Sequence, residues 1–239
     1  VDAFTLMSSD GDGVVEYGET VYVSMDLKNV GSELTEDVEV NLSISDPYIT
    51  LNDSQESFGD IFPDALSGEE DAFSFIVSYD VPDNYSFTVV ATITGSGDIW
   101  DYSLNMTAYA PVLSFDGIIV NDPDGQLDPG DTTDVGIIVH NSGGSGLSDM
   151  IATIFSSDEY ISINSVLDYS IGNIGVDGDG IAYYNITASP ETPIGHIVSF
   201  ELHITDVYQL YTENISGSIT IGLTWEDFES ETFVTLPWN

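Results

Sequence analysis

Apolar and polar residues alternate one for one through several short stretches of this chain. Thr20-Val-Tyr-Val-Ser-Met-Asp-Leu places Val21, Val23, Met25 and Leu27 on one side and Tyr22, Ser24 and Asp26 on the other. The same period of two runs through Val38-Glu-Val-Asn-Leu-Ser-Ile, Phe73-Ser-Phe-Ile-Val, Phe87-Thr-Val-Val-Ala-Thr-Ile-Thr and Ser103-Leu-Asn-Met-Thr. A β-strand with one face buried and one in water has this pattern, and the β-branched and aromatic residues favour it. Turn residues separate the stretches: Asn29-Val-Gly31, Asp46-Pro47, Gly59-Asp60, Ser67-Gly68, Pro82-Asp83-Asn84 and Gly95-Ser-Gly97. No window carries a helical stripe. Roughly seven short strands in about 110 residues predict an all-β fold of immunoglobulin-like sandwich type.

The pattern occurs twice. Residues 10–52 align with 122–164 without a gap, with Asp10/Asp122, Asp12/Asp124, Gly13/Gly125, Gly18/Gly130, Asn29/Asn141, Asp37/Asp149, Asp46/Asp158 and Tyr48/Tyr160 among the identities. A repeat of about 110 residues is the length of a whole domain rather than a solenoid unit. The expected organisation is two tandem sandwiches, 1–110 and 111–222, in a semi-rigid line, because Tyr109-Ala-Pro111 leaves almost no linker. The tail 223–239 has no repeat counterpart and is read as the start of a further domain or an exchanged strand.

Composition changes the picture through charge. The chain has 239 residues, one Lys+Arg residue, 42 Asp+Glu and a formal net charge of -41. It is also 42% hydrophobic and 11% aromatic, enough to bury cores, so it is not a disordered acidic tail. A phosphate backbone needs Lys and Arg partners, and Lys28 is alone, so nucleic-acid binding is excluded. No apolar run approaches the ~20 residues of a transmembrane helix, so no membrane insertion is expected. Without cysteine there is neither a disulfide nor a thiolate metal site. The acid excess leaves three readings: cation binding, a high-salt environment, or solubility. Asn-X-Ser/Thr sequons at Asn41, Asn52, Asn84, Asn105, Asn185 and Asn214 agree with an exterior glycoprotein.

Part of the acid is placed in register. Asp10-Gly-Asp12-Gly-Val-Val-Glu16-Tyr-Gly-Glu19 recurs as Asp122-Pro-Asp124-Gly-Gln-Leu-Asp128-Pro-Gly-Asp131. Calcium takes six to eight hard oxygen ligands, and alternating carboxylates on a tight loop supply them. With Gly13 on the glycine of an EF-hand-type spacing, Ser8, Asp10, Asp12, Glu16 and Glu19 fall on ligand positions. In the second repeat the first of these positions is Val120, which has no side-chain oxygen. Flanking strands replace the helices, so backbone carbonyls would complete the shell. The competing reading is a plain turn, which uses Asp and Gly without an ion. It accounts for the first two acids of each loop but not for Glu16/Asp128 and Glu19/Asp131, which would repel their neighbours. One Ca2+ per repeat is therefore expected, on Asp10, Asp12, Glu16 and Glu19 and on Asp122, Asp124, Asp128 and Asp131. Asp177-Gly-Asp179-Gly is read as a solvated turn.

These loops, each followed by a strand and then Lys28-Asn29-Val-Gly31 or His140-Asn141-Ser-Gly143, resemble the tandem Ig-like repeats of secreted bacterial surface proteins. The later elements Ser45–Ile49 and Ser157–Ile161 fit the same cell-adhesion-related repeat group, which covers nearly all of 1–222. The resemblance implies an Ig-like fold and an extracellular or cell-surface location. The tail Trp225-Glu-Asp-Phe228-Glu-Ser resembles the opening of a cleaved-adhesin jelly-roll domain of gingipain-like proteins, with Glu231 where that pattern has glycine.

Catalysis is not expected. His140, His196 and His203 are dispersed, and neither a nucleophile elbow, a zinc-protease helix nor a phosphate loop occurs. The leading expectation is an extracellular structural or adhesive protein whose calcium-stiffened modules space or present other protein domains or copies of itself. One alternative is a filament or surface-layer subunit in which the tail adds as a strand to a neighbour's sheet edge. Another is a carbohydrate-binding accessory of a secreted hydrolase, for which Trp100, Tyr102 and Tyr109 are the candidate glycan contacts.

Overall fold

The computed structural model describes residues 1–222; the tail, and with it the readings of an exchanged strand or a following domain, lies outside the described residues. The described chain is all β, with sixteen strands in four antiparallel sheets and no helix, hence none long and apolar enough to cross a membrane. It divides into two compact units, one of Val1–Pro111 with Gly143–Ser145, the other of Val112–Ser142 and the residues from Gly146 onward.

The first unit contains β1 (Ala3–Ser8), β2 (Thr20–Lys28), β3 (Thr35–Ser43), β4 (Ile49–Asp53), β5 (Gln55–Ile61), β6 (Leu66–Val77), β7 (Tyr85–Gly95) and β8 (Asp98–Ala108). One sheet has the order β1-β2-β6-β4 and the other β5-β3-β7-β8. The alternation predicted for β2 holds: Val21, Val23, Met25 and Leu27 are buried while Tyr22 and Asp26 face solvent. Phe73 and Phe75 of β6 are fully buried, and Phe75 meets Phe87 of β7 edge to face with centroids 5.7 Å apart. Truncating such a phenylalanine to alanine costs about 3–5 kcal/mol, through lost burial and the cavity left behind.

The second unit repeats the topology with β9 (Leu113–Val120), β10 (Thr132–Asn141), β11 (Leu147–Phe155), β12 (Ile161–Ile163), β13 (Asp168–Ile174), β14 (Gly178–Ala188), β15 (His196–Asp206) and β16 (Thr212–Ile221). Its sheets run β12-β14-β10-β9 and β13-β11-β15-β16. Tyr184 is fully buried there and donates its hydroxyl to the Ala152 carbonyl at 2.8 Å, which satisfies a polar group in an apolar core.

Two expected turns are strand interior instead. Gly59-Asp60 lies inside β5 and Ser67-Gly68 inside β6. Gly59 has φ 64°, and its counterpart Gly172 in β13 has φ 82°. The pairing register shifts beside both, so the glycines serve β-bulges, which need the same positive φ as a turn. Asp37 and Asp149, identical between the repeats, have φ 51° and 55° at those bulges, and their N–H groups are accepted by Asp60 and Asn173, each at 3.0 Å.

Candidate metal centre

The acidic loop of the first unit lies where the chain passes from one sheet to the other. Before it, β1 pairs with β2; after it, Glu16 bridges in parallel to Tyr109, just past β8. Tyr109 N–H donates to the Val15 carbonyl and Tyr17 N–H to the Tyr109 carbonyl, both at 2.9 Å. Val15 is buried and anchors the crossing. The second unit is built alike, with Leu127 buried in the place of Val15 and its carbonyl accepting Gly222 N–H at 2.9 Å.

Within the first loop, carboxylate oxygens of Asp10, Asp12 and Glu16 lie within 4.8 Å of one another. Ser8 organises them. Its hydroxyl is 2.7 Å from Asp10 Oδ1 and 3.0 Å from Asp12 Oδ1, and it accepts Gly13 N–H at 3.0 Å. Gly11 and Gly13 take φ 90° and 79°, which turns both aspartates toward Ser8. Glu19 is used differently: its carboxylate accepts the Glu16 N–H at 3.2 Å and the Ser9 hydroxyl at 3.3 Å, fastening the far end of the loop.

The electrostatics follow from this crowding. Burial pushes the Glu16 carboxyl above its ordinary range, and the charges of Asp12 and Asp10 push it further. Burial and then the charge of Asp10 do the same to Glu19. Asp10 is held below the usual range, chiefly by the Ser8 hydroxyl. The three gathered carboxylates, the reluctantly ionised Glu16 among them and Glu19 close by, are the kind of oxygen set a hard cation takes.

The second loop shares the frame and differs in its centre. Asp131 accepts the Asp128 N–H at 2.9 Å, as Glu19 does for Glu16. Burial raises the carboxyls of Asp128 and Asp122. Among the described residues, however, the meeting of three carboxylates occurs in the first loop, and Asp122, Asp124 and Asp128 do not form such a group. Two substitutions account for this. Pro123 replaces Gly11, and a proline ring near φ −65° cannot adopt the positive φ of the glycine. Val120 replaces Ser8 and removes the bridging hydroxyl.

The other repeated motifs have structural work. Asn29 pins the connection after β2 by donating to the Glu33 and Ile61 carbonyls at 2.8 and 2.9 Å. Asn141 accepts the Val112 N–H at 3.0 Å and donates to the Gly175 carbonyl at 3.2 Å. His140 sits 2.7 Å from Asp179 and 3.5 Å from Asp177, so of the expected turn Asp177-Gly-Asp179-Gly only Asp177 lies in the turn, Asp179 is already in β14, and both hold a histidine.

No protein-family model matches the chain, and no curated protein does. Among solved structures it is similar to red sea bream transglutaminase, at 11% identity and a TM-score of 0.32 over 94% of this chain, which spans 32% of that one. It is also similar to the structure designated BspA_C_mut, at 7% identity and a TM-score of 0.45, over 91% of this chain and 97% of that one.

Proposed function

We propose that this chain is an extracellular structural or adhesive protein whose Ig-like modules are stiffened by calcium and space or present other protein domains or copies of the chain itself. The observation that carries the reading is the meeting of Asp10, Asp12 and Glu16 at the crossover between sheets. A calcium ion held there would join the end of β1 to the segment beside β8, and so tie one sheet of the sandwich to the other. Backbone carbonyls and water would complete its shell, as the ion's need for six to eight oxygens demands. Asp122, Asp124, Asp128 and Asp131 are proposed as the second, weaker site, because Pro123 and Val120 leave its acids less gathered. The exterior location is supported by the acid surface and by sequon asparagines that all lie at exposed or half-exposed positions. The test is thermal unfolding in millimolar calcium and in chelator. The reading expects a higher midpoint in calcium, and an unchanged midpoint would remove the ion.

A further inference from the structure

A groove of about 640 Å³ opens on the first unit, between the connection after β2 and the hairpin that joins β7 to β8. One wall is Leu27, Val30 and Leu34; the other carries Trp100 and Tyr102 of β8, an edge strand of its sheet. Trp100 pairs opposite Ile93 and Tyr102 opposite Ala91, both buried, and they share a side of β8 with buried Leu104 and Met106. By alternation these two aromatics belong to the core. The facing sheet does not cover them, and they are 46% and 38% exposed. Large apolar groups left open beside a polar rim mark a binding surface rather than a packing one.

We propose that this groove binds a neutral oligosaccharide. Two residues along a strand separate Trp100 and Tyr102 by about 6.8 Å, which makes a rigid aromatic platform for the C–H faces of sugar rings. The rim supplies acceptors for sugar hydroxyls in Glu33 and Asp98, and Lys28 is the one cationic side chain along it. Asn29 fixes the opposing loop through its bonds to Glu33 and Ile61, so the groove is preformed. The rim carboxylates, on a chain of formal net charge -41, repel anionic glycans and acidic peptides, and a neutral polyhydroxyl chain satisfies both the platform and the rim. Tyr109, the third aromatic expected to serve a glycan, does not line this groove; its backbone is engaged with Val15 and Tyr17.

The test is affinity electrophoresis of the full chain through gels holding neutral β-glucan, xylan, mannan, α-glucan or chitin oligosaccharide, with anionic pectate alongside. Titration calorimetry with the matching hexasaccharide follows. At least one neutral glycan is expected to bind, equally in calcium and in chelator. Trp100→Ala and Tyr102→Ala are each expected to weaken it at least tenfold, while Tyr208→Ala, an exposed aromatic of the second unit, leaves it unchanged. Trp100→Phe guards against a folding defect: it should keep the melting midpoint and part of the affinity while losing any ligand-induced fluorescence shift from that indole. Binding of no neutral glycan, retention on pectate alone, or affinity that survives both alanine variants overturns the proposal. Capture of a second copy of the chain in place of any glycan also overturns it.

Discussion

His196 Nε2 lies 2.8 Å from Asp158 Oδ2 in the second unit, where the first unit sets the Tyr85 hydroxyl 2.8 Å from Asp46 Oδ2. In both, the other aspartate oxygen accepts a backbone N–H two residues on, from Tyr48 at 2.8 Å and Tyr160 at 2.9 Å. The ring of the partner stacks edge-on against that tyrosine, with centroids 5.0 Å apart for Tyr48 and Tyr85 and 4.8 Å for Tyr160 and His196. The repeated Ser-Asp-x-Tyr-Ile element is thus a turn locked by one aromatic ring at the start of β7 or of β15. Asp158→Ala leaves a backbone N–H and a half-buried ring nitrogen unpaired and is expected to destabilise the second unit by about 1–3 kcal/mol. His196→Tyr copies the first unit and should keep the midpoint. Thermal melts of the two variants check both outcomes.

The same aspartate gives the second unit an acid limit. Burial would raise its carboxyl, but the Tyr160 N–H and His196 together hold it below the ordinary value of 3.8. Its stabilisation is therefore present above that value and is lost as pH falls through the lowered one. At the other end of the range, the hydrogen bond to Asp179 raises His140 above the ordinary 6.5, against the opposing effect of burial. That contribution is complete below pH 6.5 and is lost as pH rises through the raised value. His140→Lys, the residue of the first repeat, should flatten the decline of the second unit's midpoint as pH rises above 6.5. A decline unchanged in the variant would remove His140 from the account.

Without calcium, the loop of the first unit has the sign opposite to that of Asp158. Glu16 and Glu19 are raised above 4.5, so they bind protons more tightly folded than unfolded. In chelator, the midpoint of the first unit is expected to rise as pH falls from neutral through the raised values toward 4.5. In calcium the slope should reverse, because protons then compete with the ion. Parallel slopes in the two conditions would contradict an ion at this loop.

Glycine geometry separates two kinds of substitution. A side chain at Gly18, with φ 72°, would place its first carbon 2.2 Å from the Tyr79 ring, so Gly18→Ala should cost about 1–3 kcal/mol with or without calcium. Gly11 has φ 90° and open space around it. Gly11→Pro imports the second repeat's residue, forbids that φ, and should abolish most of the calcium response of the first unit. Melts of both variants in calcium and chelator distinguish the fold defect from the site defect.

Much of the fold was legible because alternation is a local signal: Val21, Val23, Met25 and Leu27 point inward as their spacing requires. Gly59 and Gly172 misled because positive φ serves a bulge as well as a turn. In the site, Asp10, Asp12 and Glu16 could be picked from spacing, and Val120 already marked the second loop as different. The capping role of Glu19 could not be read, since it depends on where the backbone of Glu16 turns. Nor could the exchange of Tyr85 for His196, because unlike residues fill one place. Trp100 and Tyr102 carry a core pattern, and only the extent of the facing sheet leaves them in water.

The most direct measurement is calorimetric melting of the full chain in millimolar calcium and in chelator, beside Asp12→Asn and Glu16→Gln. A ligand at one hundred times its Kd adds about 2.7 kcal/mol, which for a domain of about 100 residues moves a midpoint by roughly 10 °C or more. The wild-type transition of the first unit is expected to rise by that order in calcium, and the two variants to lose most of the rise. A wild-type midpoint that does not move, or variants that respond as the wild type does, would contradict a calcium tie between the sheets.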